Sequence, residues 1–210
     1  MSQSRFDHAA ATWDEHPPRI AMTRAIAAAI LAQVPVTTAM TALDFGCGTG
    51  LLTIGLQPHV RSIIGVDTSS GMLEVLNEKI AAMGLTNVEA RQFDLTSAPL
   101  PDQPVDLIVS AMALHHVADV PHLLQVFSQL LAPGGYLAIA DLEVEDGSFH
   151  EDKDGVHHSG FDPDELADQL RQLGFQHLQV TTAHTMERPS PEGARRYPIF
   201  LVSAQKSSRS

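Results

Sequence analysis

Apolar residues recur along this chain in two rhythms. Ile20, Ala27, Ile30, Leu31 and Val34 fall near one face at helical spacing, and Pro17-Pro18 suits a first turn, so an N-terminal amphipathic helix is predicted over 20–34. Short apolar runs at 41–45, 61–66, 87–93, 105–110 and 136–140 are bounded by glycine, proline or polar residues and read as buried strands. Helical stripes lie between them. Leu51, Leu52, Ile54 and Leu56 follow Gly50; Met72, Leu73, Leu76, Ile80 and Met83 follow an N-cap at Thr68 or Ser69 and stop at Gly84. Asp119, with Pro121 two positions on, opens a helix that ends near Ala132, and Pro133-Gly134-Gly135 is a turn. Asp162-Pro163-Asp164-Glu165 resembles a capping box ahead of Leu166, Leu170 and Leu173, with Gly174 closing the stripe. Two final strands, 177–182 and 197–204, are predicted as a hairpin around the proline-containing loop at 189–191. Between 141 and 160 no period is evident, and so long a connection is often functional.

Strand alternating with helix argues for an α/β fold, a doubly wound, mostly parallel sheet with helices on both faces. The 210 residues suit one domain over 1–206 with a flexible tail at 207–210. Composition narrows the partners. Asp and Glu total 25 against 13 Lys and Arg, a net charge of −12, which disfavours nucleic-acid backbones and anionic lipid. The apolar stretch 25–32 is too short to span a bilayer, so no membrane insertion is expected. The N-terminus lacks the apolar core of a secretory signal, and a cytoplasmic protein is the expectation. A single cysteine, Cys47, excludes an intrachain disulfide and a CxxC metal site.

The most informative segment is LDFGCGTG at 43–50. Three glycines at alternate positions after a strand let main chain approach a ligand, and the helix N-terminus behind them predicts a bound anionic group. A dinucleotide fingerprint would place its third glycine at position 51, which is Leu51, and the chain has no Gly-Lys pair for a phosphate loop.

With VDTSSGML at 66–73, FDL at 93–95, VDLIVSAMALHHV at 105–117 and LLAPGGYLAIADL at 130–142, this ordered set resembles the class I S-adenosylmethionine-dependent methyltransferases. The similarity runs from about Phe6 to Lys206, with the flavour of the small-molecule branch that includes ubiquinone and menaquinone biosynthesis enzymes. It implies a Rossmann-like sheet of seven strands in the order 3-2-1-4-5-7-6, the last antiparallel. It also implies S-adenosylmethionine as cofactor, a small-molecule acceptor, and FDHAAATWDEHPPR at 6–19 as part of an N-terminal lid within 1–34.

The residues agree with that resemblance. Asp67 lies 23 positions after Asp44, close to the offset of a ribose-binding carboxylate. Asp94 suits the adenine amino group, Leu95 offers a backbone N–H to the ring, and Thr68 and Met72 pack beside the adenosine. Asp44 and carbonyls near Gly46 and Ser110 can take the ammonium, Arg19 the methionine carboxylate, while Cys47, Gly48 and Gly50 complete the turn. His116 is the candidate base. Trp13, His115, His157, His158 and Phe161 are candidate acceptor-site residues, the last three from the 142–161 loop. No metal is expected: the histidines and carboxylates of that loop lack a ligand spacing. Cys47 reads as a small residue permitting close approach. A binding module without catalysis, an NAD-dependent oxidoreductase and a nucleic-acid methyltransferase are the alternatives. The acceptor and the oligomeric state are not legible.

Overall fold

The structure, a computed structural model, describes residues 5–94, 103–190 and 193–208. Seven strands form one sheet: β1 (Thr41–Phe45), β2 (Ser62–Asp67), β3 (Val88–Gln92), β4 (Val105–Ala111), β5 (Leu131–Leu142), β6 (Phe175–Ser190) and β7 (Gly193–Lys206). Their order is β3-β2-β1-β4-β5-β7-β6. The first five run parallel and β7 runs antiparallel to both neighbours. The helices are α1 (Arg5–Ala9), α2 (Pro17–Gln33), α3 (Leu51–Leu56), α4 (Ser70–Met83), α5 (Val120–Leu130) and α6 (Pro163–Gln172).

Strand periodicity divides the core. Leu43, Ile108, Leu137 and Ile139 point to one face, where Leu123, Phe127, Leu166 and Leu170 of α5 and α6 cover them. Ala42, Ile63, Leu107, Val109 and Ala138 point to the other, under Ile26 and Ile30 of α2 and Leu52 and Leu56 of α3. The caps form as the residue types dictate. Ser69 Oγ accepts from Met72 N–H at 3.2 Å, Asp119 from His122 N–H at 3.0 Å, and Asp162 from Asp164 and Glu165 N–H.

Three elements depart from the predicted pattern, the first being β5, which begins at Leu131 and takes in Pro133-Gly134-Gly135, expected as a turn, at a register break against β4. The buried stripe of α2 is Met22, Ile26 and Ile30, continued by Val34, while Ile20, Ala27 and Leu31 stay partly exposed. The helix packs along a stripe of four-residue spacing, and the alanines between give no signal of it. The terminal hairpin is far longer than predicted: its strands stay paired from Thr185 to Ser190 and from Gly193 to Pro198, past the edge of the core. His177, with a left-handed φ of 53°, sits at the register break near the start of β6.

Candidate active site

The carboxyl ends of β1, β2 and β4 open into a cavity of about 1310 Å³, where ligands of open α/β sheets bind. Its floor is the turn after β1. Gly46, Gly48 and Gly50 have φ of 67°, 53° and 80°, a run of left-handed conformations that side chains resist. A Cβ on Gly50 would stand 2.3 Å from Leu76 Cδ1, so this glycine serves the packing of α4, and it does not line the cavity.

Four donors of the expected anion cradle are taken within the protein, while Leu51 and Leu52 at the start of α3 line the cavity. Gly46 and Cys47 both donate their N–H to Val66 O, Gly50 donates to Cys47 O, and Gly48 donates to Asp67 Oδ2 at 2.9 Å. The turn therefore spends these donors inside the protein. What it presents is Asp67, held between Gly48 N–H and Ser69 N–H, the latter at 2.9 Å on Oδ1. A carboxylate has lone pairs beyond these, and Asp67 lines the cavity. Burial raises its pKa above the ordinary value, against the pull of the backbone donors.

Asp44 lies deeper. It is 1% exposed, its Oδ2 accepts from Thr53 Oγ1 at 2.6 Å, and burial pushes its pKa up to about 7. Cys47 is buried, and burial, with Asp44 and Asp67 nearby, raises its thiol pKa well above the usual range. The sulfur stands 2.9 Å from where a Gly65 Cβ would be, which gives it a packing role.

The N-terminal segment closes the cavity from above. Asp7 Oδ1 accepts from Ser69 Oγ at 2.6 Å and from Gly71 N–H at 2.9 Å. Asp14 accepts from Thr49 Oγ1 at 2.7 Å and pairs with Lys79. Phe6 meets Trp13 edge-on at 5.9 Å and His116 at 5.1 Å, and the Arg19 guanidinium lies 3.6 Å over the Trp13 ring. A Cβ on Gly71 would come within 2.9 Å of Asp7 Cα, so glycine there permits the close approach.

Opposite the glycine turn stands a histidine cluster. His115 is 1% exposed, and its Nδ1–H donates to Asp141 Oδ1 at 2.6 Å. Asp141 is wholly buried and also accepts from Leu142 N–H. His115 lies 4.1 Å from the His116 ring and 4.7 Å from His150, and all three line the cavity. His116 Nδ1–H donates to Gly155 O at 2.7 Å. Burial first, and His115 second, lower the pKa of His116 to about 4, and the same causes lower His150 to about 4.

A family model described as a methyltransferase domain matches residues 19–182. The chain belongs to this methyltransferase family. The family's methyl donor is S-adenosylmethionine. A methyltransferase of Schizosaccharomyces pombe is 35% identical over 67% of this chain and 55% of its own length. A demethylmenaquinone methyltransferase of Shouchella clausii is 35% identical over 49% of this chain and 45% of its own. The chain thus spans about half the length of each. A phosphoethanolamine N-methyltransferase of Haemonchus contortus, solved with phosphomonomethylethanolamine and S-adenosylhomocysteine, shares the fold. Its TM-score is 0.69 at 18% identity, over 86% of this chain and 52% of that one.

The cavity gathers most, not all, of the residues singled out from sequence. Trp13, Arg19, Asp44, Gly46, Cys47, Gly48, Asp67, Thr68, Met72, Asp94, His115 and His116 line it. Leu95 lies outside the described residues. Ser110 is fully buried, with its Oγ unpartnered among the described residues, and does not line the cavity. His157, His158 and Phe161 do not line it either. The N–H groups of His157 and His158 donate to His115 O at 2.9 and 3.2 Å, His158 Nε2–H donates to Val117 O, and Phe161 packs on the core. They brace the histidine turn from behind. Sequence reasoning missed Asp141, Arg188 and Tyr197, and weighed His150 only as a metal ligand. Asp141 ends an apolar strand as Asp67 does, a parallel that was legible. The hairpin residues gave no apolar alternation to follow. Among the described residues no metal-binding cluster forms, and no helix is long and apolar enough to cross a membrane.

Proposed function

We propose that this chain transfers the methyl group of S-adenosylmethionine to a small-molecule acceptor. The observation that carries the reading is Asp67, fixed by two backbone donors at the cavity floor with lone pairs left over for a ribose diol. A turn that spends four of its N–H groups inside the protein suits a nucleoside without phosphates better than a dinucleotide. The cavity volume exceeds what a nucleoside alone needs, leaving room for a second small molecule.

S-adenosylmethionine, when bound, supplies a methyl group already activated on a sulfonium. Asp67 would grip the ribose hydroxyls, Thr68, Met72 and Asp94 the adenosine end, Asp44 the ammonium, and Arg19 the carboxylate. Trp13 and Phe6 would exclude water, fixed by the Asp7 and Asp14 contacts. The chain's main task is then to hold the acceptor atom in line.

For an acceptor with a proton to lose, two features favour His115 over His116 as the base. Asp141 fixes the Nδ1–H tautomer of His115 and would stabilise its imidazolium, leaving Nε2 as the proton acceptor. His116 has no carboxylate behind it, and its lowered pKa makes it a weak base that keeps a neutral, positioning role. The test is calorimetric binding of S-adenosylmethionine and S-adenosylhomocysteine, followed by label transfer from the methyl donor across phenols, quinols, amines and acidic carbons. Binding of both with transfer to one class is expected. Binding of NADH in their place would refute the reading.

A further inference from the structure

The far wall of the cavity is built by the extended hairpin and the 143–161 loop, and neither has a part in holding the donor. Phe149, His150, Met186, Arg188 and Tyr197 meet there. The Arg188 guanidinium lies 4.2 Å over the Phe149 ring and donates one N–H to Phe149 O. Phe149 is in turn held edge-on by Tyr197 at 5.2 Å, whose hydroxyl bonds Ser148 Oγ at 2.8 Å. Arg188 is thus stacked, half-buried and aimed by its neighbours, and among the described residues its guanidinium makes no other hydrogen bond. Among the described residues no carboxylate lies within ion-pair distance of it, nor of Arg19.

Glu151, Asp152 and Glu187 also line the cavity, and the last two face arginines other than Arg188. Asp152 pairs with Arg5, Glu187 faces Arg196 at 3.6 Å, and Asp141 serves His115. Glu151 sits exposed at the rim. Asp44, Asp67 and Asp94 belong to the donor half. With Arg5 paired to Asp152 and Arg19 assigned to the donor, Arg188 is the arginine left to the acceptor among the described residues lining this wall. Burial chiefly, and Arg188 after it, lower the pKa of Arg19; burial and the neighbouring histidines, with Arg5 and Arg188 after them, lower that of His150.

We infer that the acceptor carries an anionic group, a carboxylate or a phosphate monoester, seated on Arg188. This rests on the methyltransferase reading and adds the class of its second substrate. The anion is a handle at the hairpin wall, and the nucleophilic atom lies toward His115.

The experiment titrates succinate, phenylacetate, inorganic phosphate and phenyl phosphate, with succinamide and phenylacetamide as neutral counterparts, into the protein saturated with S-adenosylhomocysteine. At least one anion should bind and its neutral counterpart should not. Tighter binding of the carboxylates, or of the phosphates, identifies the source. Arg188→Gln should weaken that anion by about 10- to 100-fold, as expected for a lost charge-assisted bond, with S-adenosylhomocysteine affinity unchanged. Arg188→Lys should recover part of the loss, and Arg19→Gln should instead weaken S-adenosylhomocysteine. Anion binding that ignores Arg188→Gln, or no anion binding by the loaded protein, overturns the inference and leaves the methyltransferase reading standing. Failure to load S-adenosylhomocysteine at all overturns both.

Discussion

Replacing Asp67 by Asn removes its charge and keeps its shape. In the native site Oδ2 accepts from Gly48 N–H and Oδ1 from Ser69 N–H, both at 2.9 Å. An amide can satisfy only one of these donors, and its own NH₂ then faces the other. Toward the ribose, two charge-assisted bonds become neutral or are lost, at about 1–2 kcal/mol each. Cofactor affinity should therefore fall by about 2–4 kcal/mol, roughly 30- to 1000-fold in Kd. Calorimetric titration with S-adenosylhomocysteine measures this directly, with circular dichroism confirming that the variant folds. Asp67→Ala should lose as much affinity and also melt lower, because it orphans both backbone donors. A folded Asn variant that binds within about threefold of the native protein would refute the reasoning, since so small a change cannot include a lost charged bond.

Other expectations follow from the same geometry. The Asp44 pKa is pushed up to about 7 by burial, and an ammonium is held best by the ionised form. S-adenosylhomocysteine affinity should therefore drop as pH falls below about 7, by up to tenfold per unit, with a proton released on binding. Asp44→Asn should flatten that dependence, and a native profile flat across this range would remove Asp44 from the site. Asp141→Asn should cut kcat by about 10²- to 10⁴-fold while sparing cofactor affinity; an unchanged kcat would take the base role from His115. Gly71→Ala should preserve or raise α4 stability by about 1 kcal/mol, yet its Cβ would collide with Asp7 backbone. Limited proteolysis should then cut residues 5–16 faster, and equal cleavage rates would show that the lid does not dock there.

The strands and their order of appearance were readable because both faces of the parallel sheet are covered, which makes each strand a continuous apolar run. The order across the sheet came from motif resemblance, not periodicity. Local chemistry was readable where one residue acts on its neighbours: Ser69, Asp119 and Asp162 cap the helices they precede. What escaped were relations between distant residues. The pairing of His115 with Asp141 spans 26 positions, and no local pattern links them. The glycine turn offers fewer donors to an anion than expected because Val66 O and Asp67, from β2, take three of them. The hairpin escaped because residues 181–190 pair with β7 mostly outside the core, so their side chains carry no apolar rhythm. That omission hid Arg188 and with it the acceptor wall.

A crystal structure of the S-adenosylhomocysteine complex tests the central claim most directly. The account predicts both ribose hydroxyls within hydrogen-bond distance of the Asp67 carboxylate, and the thioether sulfur directed across the cavity toward His115. A nucleoside bound elsewhere, or an Asp67 that keeps only Gly48 and Ser69 as partners beside a bound cofactor, would contradict it.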